Sequence, residues 1–523
     1  MFKKVFSRQT LLSEKAIVVY FVLLKLAICL FPLEYGVFRD ELYYIVLGEN
    51  LDFGYVDVPP LTPLILALVR SVVGTSLFAL HHIPLHLVPA MCGAAVVVLV
   101  SLMVKKMGGG FHAQFLVLTC VTLAPIYICW ESIYSYDAFD KLWWTLALYI
   151  MVLLFTSEDK KYWIYFGIAA GVGLLTKITM LYLGLGICAA LLLTRDRKYF
   201  LSWQLWAGAA IAFLIFSPYI LWQIKEGLPA LEYYKNYVFG KTYPTKPWQF
   251  VKDQIVMVNL VALPVWLAGL YYFIFNEKGK RFKALGYAYI VILVICIIQQ
   301  VKFYLPAPFY TVLFAGGAVF IEAIAEKSKI KLLKRKVTPT GLTVTIFIIG
   351  LLSAPVARPM LPVKKLMKWT GDDIYMGVKG ERHKLDELHQ HFADRLGWPE
   401  MVATVAQVYN NLDEEEKAKA CILTGNYGEA GAIWVLGDKY NLPKPISGHL
   451  QYYLWGPMGC SGEVVISLGV ELEILKKCFG EVEKVAETKC KLAIPYENRL
   501  PIYMCRKPVK PLEELWPVFK HFD

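Results

Sequence analysis

Phe38-Arg39-Asp40-Glu41-Leu42-Tyr43-Tyr44, followed by Gly54-Tyr55-Val56-Asp57-Val58-Pro59-Pro60, is the stretch on which the reading of this chain turns. It places several carboxylates in a loop directly after a first apolar run. Carboxylates beside hydrocarbon cost several kcal/mol unless they face a wet cavity, so their default reading is a functional site. The plainer alternative is that they cap helices at the membrane surface.

The rest of the chain supplies the membrane. Hydrophobic residues make up 57% of the 523, and the mean hydropathy is +0.48. Soluble domains sit nearer half apolar. Apolar runs of about 17–25 residues, the length that crosses a bilayer as a helix, recur along the sequence. They lie near 16–33, 80–104, 111–129, 138–156, 162–176, 179–194, 204–222, 255–275, 284–300, 307–325 and 339–355, and predict about eleven spans. Residues 61–73 are apolar but short and bounded by prolines, which predicts an interfacial or re-entrant helix. The basic start, Met1 to Lys15, precedes a run long enough to span and lacks a small-residue cleavage site, so no cleavable signal peptide is expected.

The loops alternate in charge. Lys3, Lys4 and Arg8, Lys105-Lys106, Lys160-Lys161, Arg195/Arg197/Lys198, Lys278/Lys280/Arg281/Lys283 and Lys327 to Lys336 fall on one side. Short basic loops face the cytoplasm. The net charge of +12 is therefore a topology signal and does not call for nucleic acid. The expected protein is a multi-pass protein of the cell (inner) membrane with a cytoplasmic N-terminus. The first loop, the 223–254 loop and residues 356–523 then lie outside.

After Pro355 the composition becomes that of a soluble domain. Ala420 to Thr424 and Val464 to Leu468 read as buried strands, and Glu429 to Tyr440 as a helix. Residues 1–355 are expected to form the transmembrane catalytic domain and 356–523 a small extracytoplasmic α/β domain. The turn Gly425-Asn426-Tyr427-Gly428 stands before a helix N-terminus, where an anion can be held, but such turns are more often only tight connections. Of the eleven cysteines, six lie in or near spans and read as small apolar residues. Cys421, Cys460, Cys478, Cys490 and Cys505 lie in the exported domain. Their odd number and irregular spacing predict no disulfide framework and no zinc site.

Three groups of acids fall outside the membrane: Asp40-Glu41, Asp57, and Asp137 with Asp140. The last two stand at i and i+3 on a helix start, so both can face one cavity. Lys177, in Leu175-Thr176-Lys177, and Lys302, in Lys302-Phe303-Tyr304-Leu305-Pro306, stand on the same side near the surface. They can meet a lipid phosphate or simply snorkel to headgroups. His81, His82 and His86 come at helical spacing but lack acidic partners, which favours an interfacial role over a metal site. Carboxylates with lysines at an outer face suit a reaction at a lipid-linked phosphate. One acid would deprotonate an acceptor hydroxyl, and a cation would stabilise the leaving phosphate.

The order Arg39-Asp40-Glu41-Leu42-Tyr43-Tyr44, Gly54 to Leu61, Leu175-Thr176-Lys177 and Lys302 to Pro306 resembles the bacterial branch of the C-type membrane glycosyltransferases, glycosyltransferase family 39. That group is related to the protein O-mannosyltransferases and the lipid A aminoarabinose transferases. Arg395 to Pro399, Leu423 to Ala432 and Leu454 to Pro457 are similar to its C-terminal half.

The resemblance implies a C-type glycosyltransferase fold, a polyprenyl-phosphate-linked sugar donor and transfer with inversion. Asp40 matches the catalytic base, with Glu41 beside it, and Asp137 matches the acid of the second outer loop. Asp140 is a further carboxylate that many relatives lack. Lys302 and Tyr304 match the segment that meets the donor phosphate, and Lys177 and Arg39 are further candidates for that contact. Asp57 matches a position that in some relatives helps hold a divalent cation. Val58 stands where many relatives carry Lys or Gln.

The expected activity is that of a hexosyl- or pentosyltransferase. Its expected partners are a polyprenyl-phosphate sugar, membrane lipid, and a protein, glycolipid or polysaccharide acceptor. A transporter or lipid-sugar flippase is the rival reading. It suits charges in a membrane cavity, but the chain shows no internal repeat and its acids gather at one face. A non-catalytic membrane scaffold is the third reading.

Overall fold

The computed structural model describes residues 13–32, 35–74, 82–237, 246–327, 337–370 and 388–523. Lys3, Lys4, Arg8, His81, most of the basic run between Lys327 and Lys336, and part of the 223–254 loop lie outside the described residues, as does the side chain of His82. The chain packs as two compact units. The first gathers Met1–Pro32, Ile83–Ile220 and Pro244–Met360; the second gathers Leu33–His82, Leu221–Tyr243 and Leu361–Asp523.

The first unit is helical. Among the described residues, six helices are long and apolar enough to cross a membrane: Ile83–Lys106, Tyr136–Ser157, Trp203–Lys225, Lys280–Ile298, Ala307–Glu326 and Pro339–Ala357. A seventh span results if Pro247–Met257 and Leu260–Phe275, bent by 96°, count as one. The bend falls at Asn259, whose φ of 81° lies in the left-handed region. Its side chain accepts a hydrogen bond from the Val261 N–H and starts the second segment.

The expected eleven spans are therefore not met by length. Each apolar run does contain a helix, but Phe111–Leu123, Tyr162–Leu174 and Met180–Leu193 have only 13, 13 and 14 residues. At about 1.5 Å per residue these reach about 20 Å, against a hydrocarbon core of about 30 Å. Hydropathy reports apolar length and does not see where the backbone leaves the helix, as at Ala124, which ends Phe111–Leu123 inside the run 111–129.

Close glycine contacts set the packing of this unit. A Cβ on Gly269 would stand 1.9 Å from the Leu313 carbonyl oxygen, and one on Gly317 would stand 1.8 Å from that of Val265. The helices Leu263–Phe275 and Tyr310–Lys327 thus approach backbone to backbone, as small residues permit where lipid supplies no hydrophobic drive.

The second unit is built on a five-stranded sheet: β1 (Ala420–Thr424), β2 (Ile446–Ser447), β3 (Val464–Leu468), β4 (Phe479–Glu487) and β5 (Pro501–Pro508), in the order β2-β1-β3-β5-β4. β1 pairs parallel with β2 and β3, while β5 runs antiparallel to β3 and β4. Successive residues point to opposite faces. Ile422, Ile466 and Met504 pack one face beneath the helices Trp398–Asn410 and Tyr427–Leu436. Leu423, Val465 and Cys505 pack the other beneath Leu475, Trp516 and Phe519. Leu42 belongs to the first of these cores, fully buried, so the carboxylate loop is part of this unit.

Cys421 and Cys460 form a disulfide, with Cα atoms 6.0 Å apart. The sequence predicted no framework. One bridge spanning 39 residues leaves no spacing pattern to read, because β1 and the approach to β3 meet only in the folded sheet.

Candidate functional site

The first unit brings together Asp137, Asp140, Lys177 and Tyr304. Ser135 starts the helix Tyr136–Ser157 by accepting a hydrogen bond from the Asp137 N–H, which sets Asp137 and Asp140 on its first turn. Lys177 sits in the turn between the helices Tyr162–Leu174 and Met180–Leu193. Its ammonium lies 2.5 Å from Asp137 Oδ1 and 4.3 Å from the centre of the Tyr136 ring. Tyr304 stands 5.5 Å from the same ammonium and 5.7 Å from that of Lys302. Asp140 is buried, and its Oδ2 accepts a hydrogen bond of 2.8 Å from Thr179 Oγ1. The result is a cluster of two acids, an ammonium and aromatic faces in which the Lys177 ammonium is held in place.

The second unit holds Arg39, Asp40, Glu41 and Asp57. The helix Arg39–Glu49 begins with Glu41 accepting from the Phe38 N–H at 2.9 Å. Glu41 is fully buried and serves this helix start. Asp40 accepts a hydrogen bond from the Tyr427 hydroxyl at 2.7 Å, and Asp57 accepts one from Tyr43 at 3.0 Å. Arg39 is 4% exposed. Its guanidinium lies over the rings of Tyr427 and Tyr496, 4.4 and 5.4 Å from their centres, and donates to the Tyr496 hydroxyl. Burial alone would lower its pKa, but Tyr427, Tyr496, Asp394 and Glu497 hold it above the ordinary value. Arg39 is thus a charged pillar inside this unit.

Beneath Arg39 lies a buried carboxyl pair. Asn426 Nδ2 donates to both Glu429 and Glu497, 2.9 Å from each. Burial raises the pKa of each carboxyl, and the neighbouring Glu497 raises that of Glu429 further. Glu429 also accepts from the N–H groups of Gly425 and Asn426, while Asn426 Oδ1 accepts from those of Gly428 and Glu429. The Tyr427 N–H goes to His449 Nδ1. The helix N-terminus after the glycine turn is filled by its own neighbours, so this turn is a tight connection.

Among the described residues, one group, His449, His521 and Asp523, places three ligand atoms close enough for a metal ion. Its donor set is a poor fit. Both ring nitrogens of His521 already lie 2.8 Å from carbonyl oxygens, those of Phe519 and Gly425. His449 Nδ1 already accepts from Tyr427. Asp57 and the other candidate acids are not part of this group.

The structure also shows an ionic cluster that the sequence reading missed. In the first unit Glu131, Lys25 and Lys141 are all fully buried. Lys25 Nζ lies 2.5 Å from Glu131 Oε2, and Lys141 pairs with Oε1. Lys25 and Lys141 each stand inside an apolar run, and that is the signal by which they can be found.

Residues 57–222 match the family model described as dolichyl-phosphate-mannose-protein mannosyltransferase, a range that takes in Asp57, Asp137, Asp140 and Lys177. Over the whole chain the fold is similar to that of ArnT from Cupriavidus metallidurans. The structure bound to undecaprenyl phosphate aligns with a TM-score of 0.57 at 13% identity, covering 94% of this chain and 97% of that one. Its apo structure aligns with a TM-score of 0.54 at 14% identity, with the same coverage. The chain has the C-type glycosyltransferase fold. The resemblance read from the sequence is borne out by both matches, and the C-type fold accounts for a membrane-spanning helical unit joined to a small α/β sheet. No curated protein matches the sequence.

Proposed function

We propose that this protein transfers a sugar from a polyprenyl phosphate to an acceptor hydroxyl at the outer face of the inner membrane. The observation that carries this reading is the Asp137–Lys177–Tyr304 cluster, set in a C-type glycosyltransferase fold whose relative binds undecaprenyl phosphate. In this reading Asp40 is the general base. It takes the acceptor's proton as the acceptor oxygen bonds to the anomeric carbon. The bond from that carbon to the phosphate oxygen breaks on the opposite face, and polyprenyl phosphate leaves with the electron pair. Configuration inverts. Lys177, with Lys302 and Tyr304, meets the donor phosphate, and Asp137 holds Lys177 in place. Asp140 supports the same turn through Thr179.

Two expectations change in this proposal. Arg39 is enclosed by tyrosines and carboxylates, so it is assigned to holding the first loop and not to the phosphate. Glu41 is assigned to the helix start. No step is routed through a cation at Asp57.

The test is transfer of labelled sugar from a panel of polyprenyl-phosphate sugars in purified membranes, with wild type beside Asp40→Asn and Lys177→Met. Loss of a general base is expected to cost about 10²–10⁴-fold in Asp40→Asn. Lys177→Met is expected to raise the donor KM. Equal transfer by wild type and Asp40→Asn, or none by wild type from any donor, would overturn the proposal.

A further inference from the structure

Tyr427, in the sheet-bearing segment, donates a hydrogen bond to a candidate catalytic carboxylate. It opens the helix Tyr427–Leu436, and its placement is constrained from several directions. Its N–H donates to His449 Nδ1 at 3.1 Å, and its ring lies 5.2 Å from that of His449 and 5.0 Å from that of Tyr43. The Arg39 guanidinium covers its face. The next residue is glycine, and a Cβ on Gly428 would stand 2.8 Å from Arg39 Cγ, so a larger residue would push Arg39 aside. These contacts aim the hydroxyl at Asp40 Oδ1, 2.7 Å away. Burial, with the charge of Asp40 adding to it, outweighs the opposing Arg39 guanidinium and raises the phenol's pKa, so the hydroxyl keeps its proton and acts as the donor.

We infer that Tyr427 is a positioning residue for Asp40, fixing the direction of the base carboxylate from within the C-terminal α/β segment. This rests on the assignment of Asp40 as base. A carboxylate on a first helical turn has several rotamers, and only some direct an oxygen at an acceptor. A hydrogen bond from a rigid donor selects one of them in advance, and such preorganisation acts on the chemical step. The C-terminal segment then contributes to turnover itself and not only to acceptor binding.

Tyr427→Phe removes one oxygen and leaves the ring contacts with Arg39, Tyr43 and His449 in place. A lost hydrogen bond to a charged group corresponds to about 10- to 100-fold. The expected result is a kcat lower by that factor, with donor KM and thermal transition unchanged. In the Asp40→Asn background the same substitution is expected to cause no further loss, because both changes act through one group.

Three results overturn the inference. The first is full kcat in Tyr427→Phe while Asp40→Asn is inactive; this leaves the base assignment standing. The second is a fall in kcat matched by a fall in thermal transition. The third is a further loss in the Asp40→Asn background. If Asp40→Asn itself is fully active, the base assignment fails and this inference fails with it.

Discussion

Replacing Glu131 by Gln tests the largest electrostatic commitment in the first unit. The substitution keeps the shape, which matters because the Glu131 carboxyl fills the space beside Gly93, where a Cβ would lie 2.5 Å from Cδ. It removes the one charge lying between Lys25 and Lys141, both fully buried. Removing one partner of a buried ion pair costs about 3–5 kcal/mol, mostly from the charge left behind, and here two ammonium groups are left. At about 2–4 °C per kcal/mol, the expected fall in Tm is about 6–20 °C. The measurement is thermal unfolding of the purified protein in detergent at a fixed scan rate.

A control separates the cluster from general damage. The triple variant Lys25→Met, Lys141→Met, Glu131→Gln removes all three of these charges together and is expected to recover most of the loss. A single variant within about 1 kcal/mol of wild type would refute the reasoning, as would a triple variant less stable than the single.

Two further outcomes concern the second unit. Cys421→Ser in the oxidised protein opens a loop closed over 39 residues and is expected to lower stability by about 4 kcal/mol on the chain-entropy account, read as the shift of this unit's unfolding transition. The Glu429–Glu497 pair should give this unit a pH dependence. Both carboxyls have folded-state pKa values raised by burial, with Glu497 adding to the effect on Glu429. Their contribution to stability is therefore fully present below the unfolded carboxyl value of about 4.3, and is lost as pH rises through the raised folded-state values. Urea unfolding across pH should show this decline, and Glu497→Gln should flatten it; a stability that rises over the same interval would contradict the assignment.

Much of this was legible in the sequence because the signals are local. Apolar runs marked each membrane helix, since hydropathy sums over neighbouring residues. β1 and β3 are mostly apolar, as suits strands buried on both faces, and both match the predicted strands. β4 was missed because Phe479-Gly480-Glu481-Val482-Glu483-Lys484 carries its charges on the exposed positions of an edge strand and shows little apolar pattern. β5 was missed because prolines bound it at both ends.

The candidate site divides the same way. Asp137 and Asp140 could be placed on one helix turn from spacing alone. Arg39 drew a different role from its sequence neighbours than from its spatial ones, because Tyr496 and Glu497 lie hundreds of residues further on. Lys25, Glu131 and Lys141 each look like an isolated charge in the sequence, and only folding makes them a cluster.

The contribution of Leu33–His82 to the second unit also has a consequence for how the protein is made. Asp40 and Tyr427 are 387 residues apart. At about 5–20 residues per second, the ribosome reaches Tyr427 roughly 20–80 s after Asp40. During that interval the loop has been synthesised without its companions: Leu42 has no core to enter, and Arg39 has no tyrosines to rest on. A newly made chain therefore passes through a long stage in which its acidic first loop waits unassembled, and any factor that shields the nascent loop acts in that window.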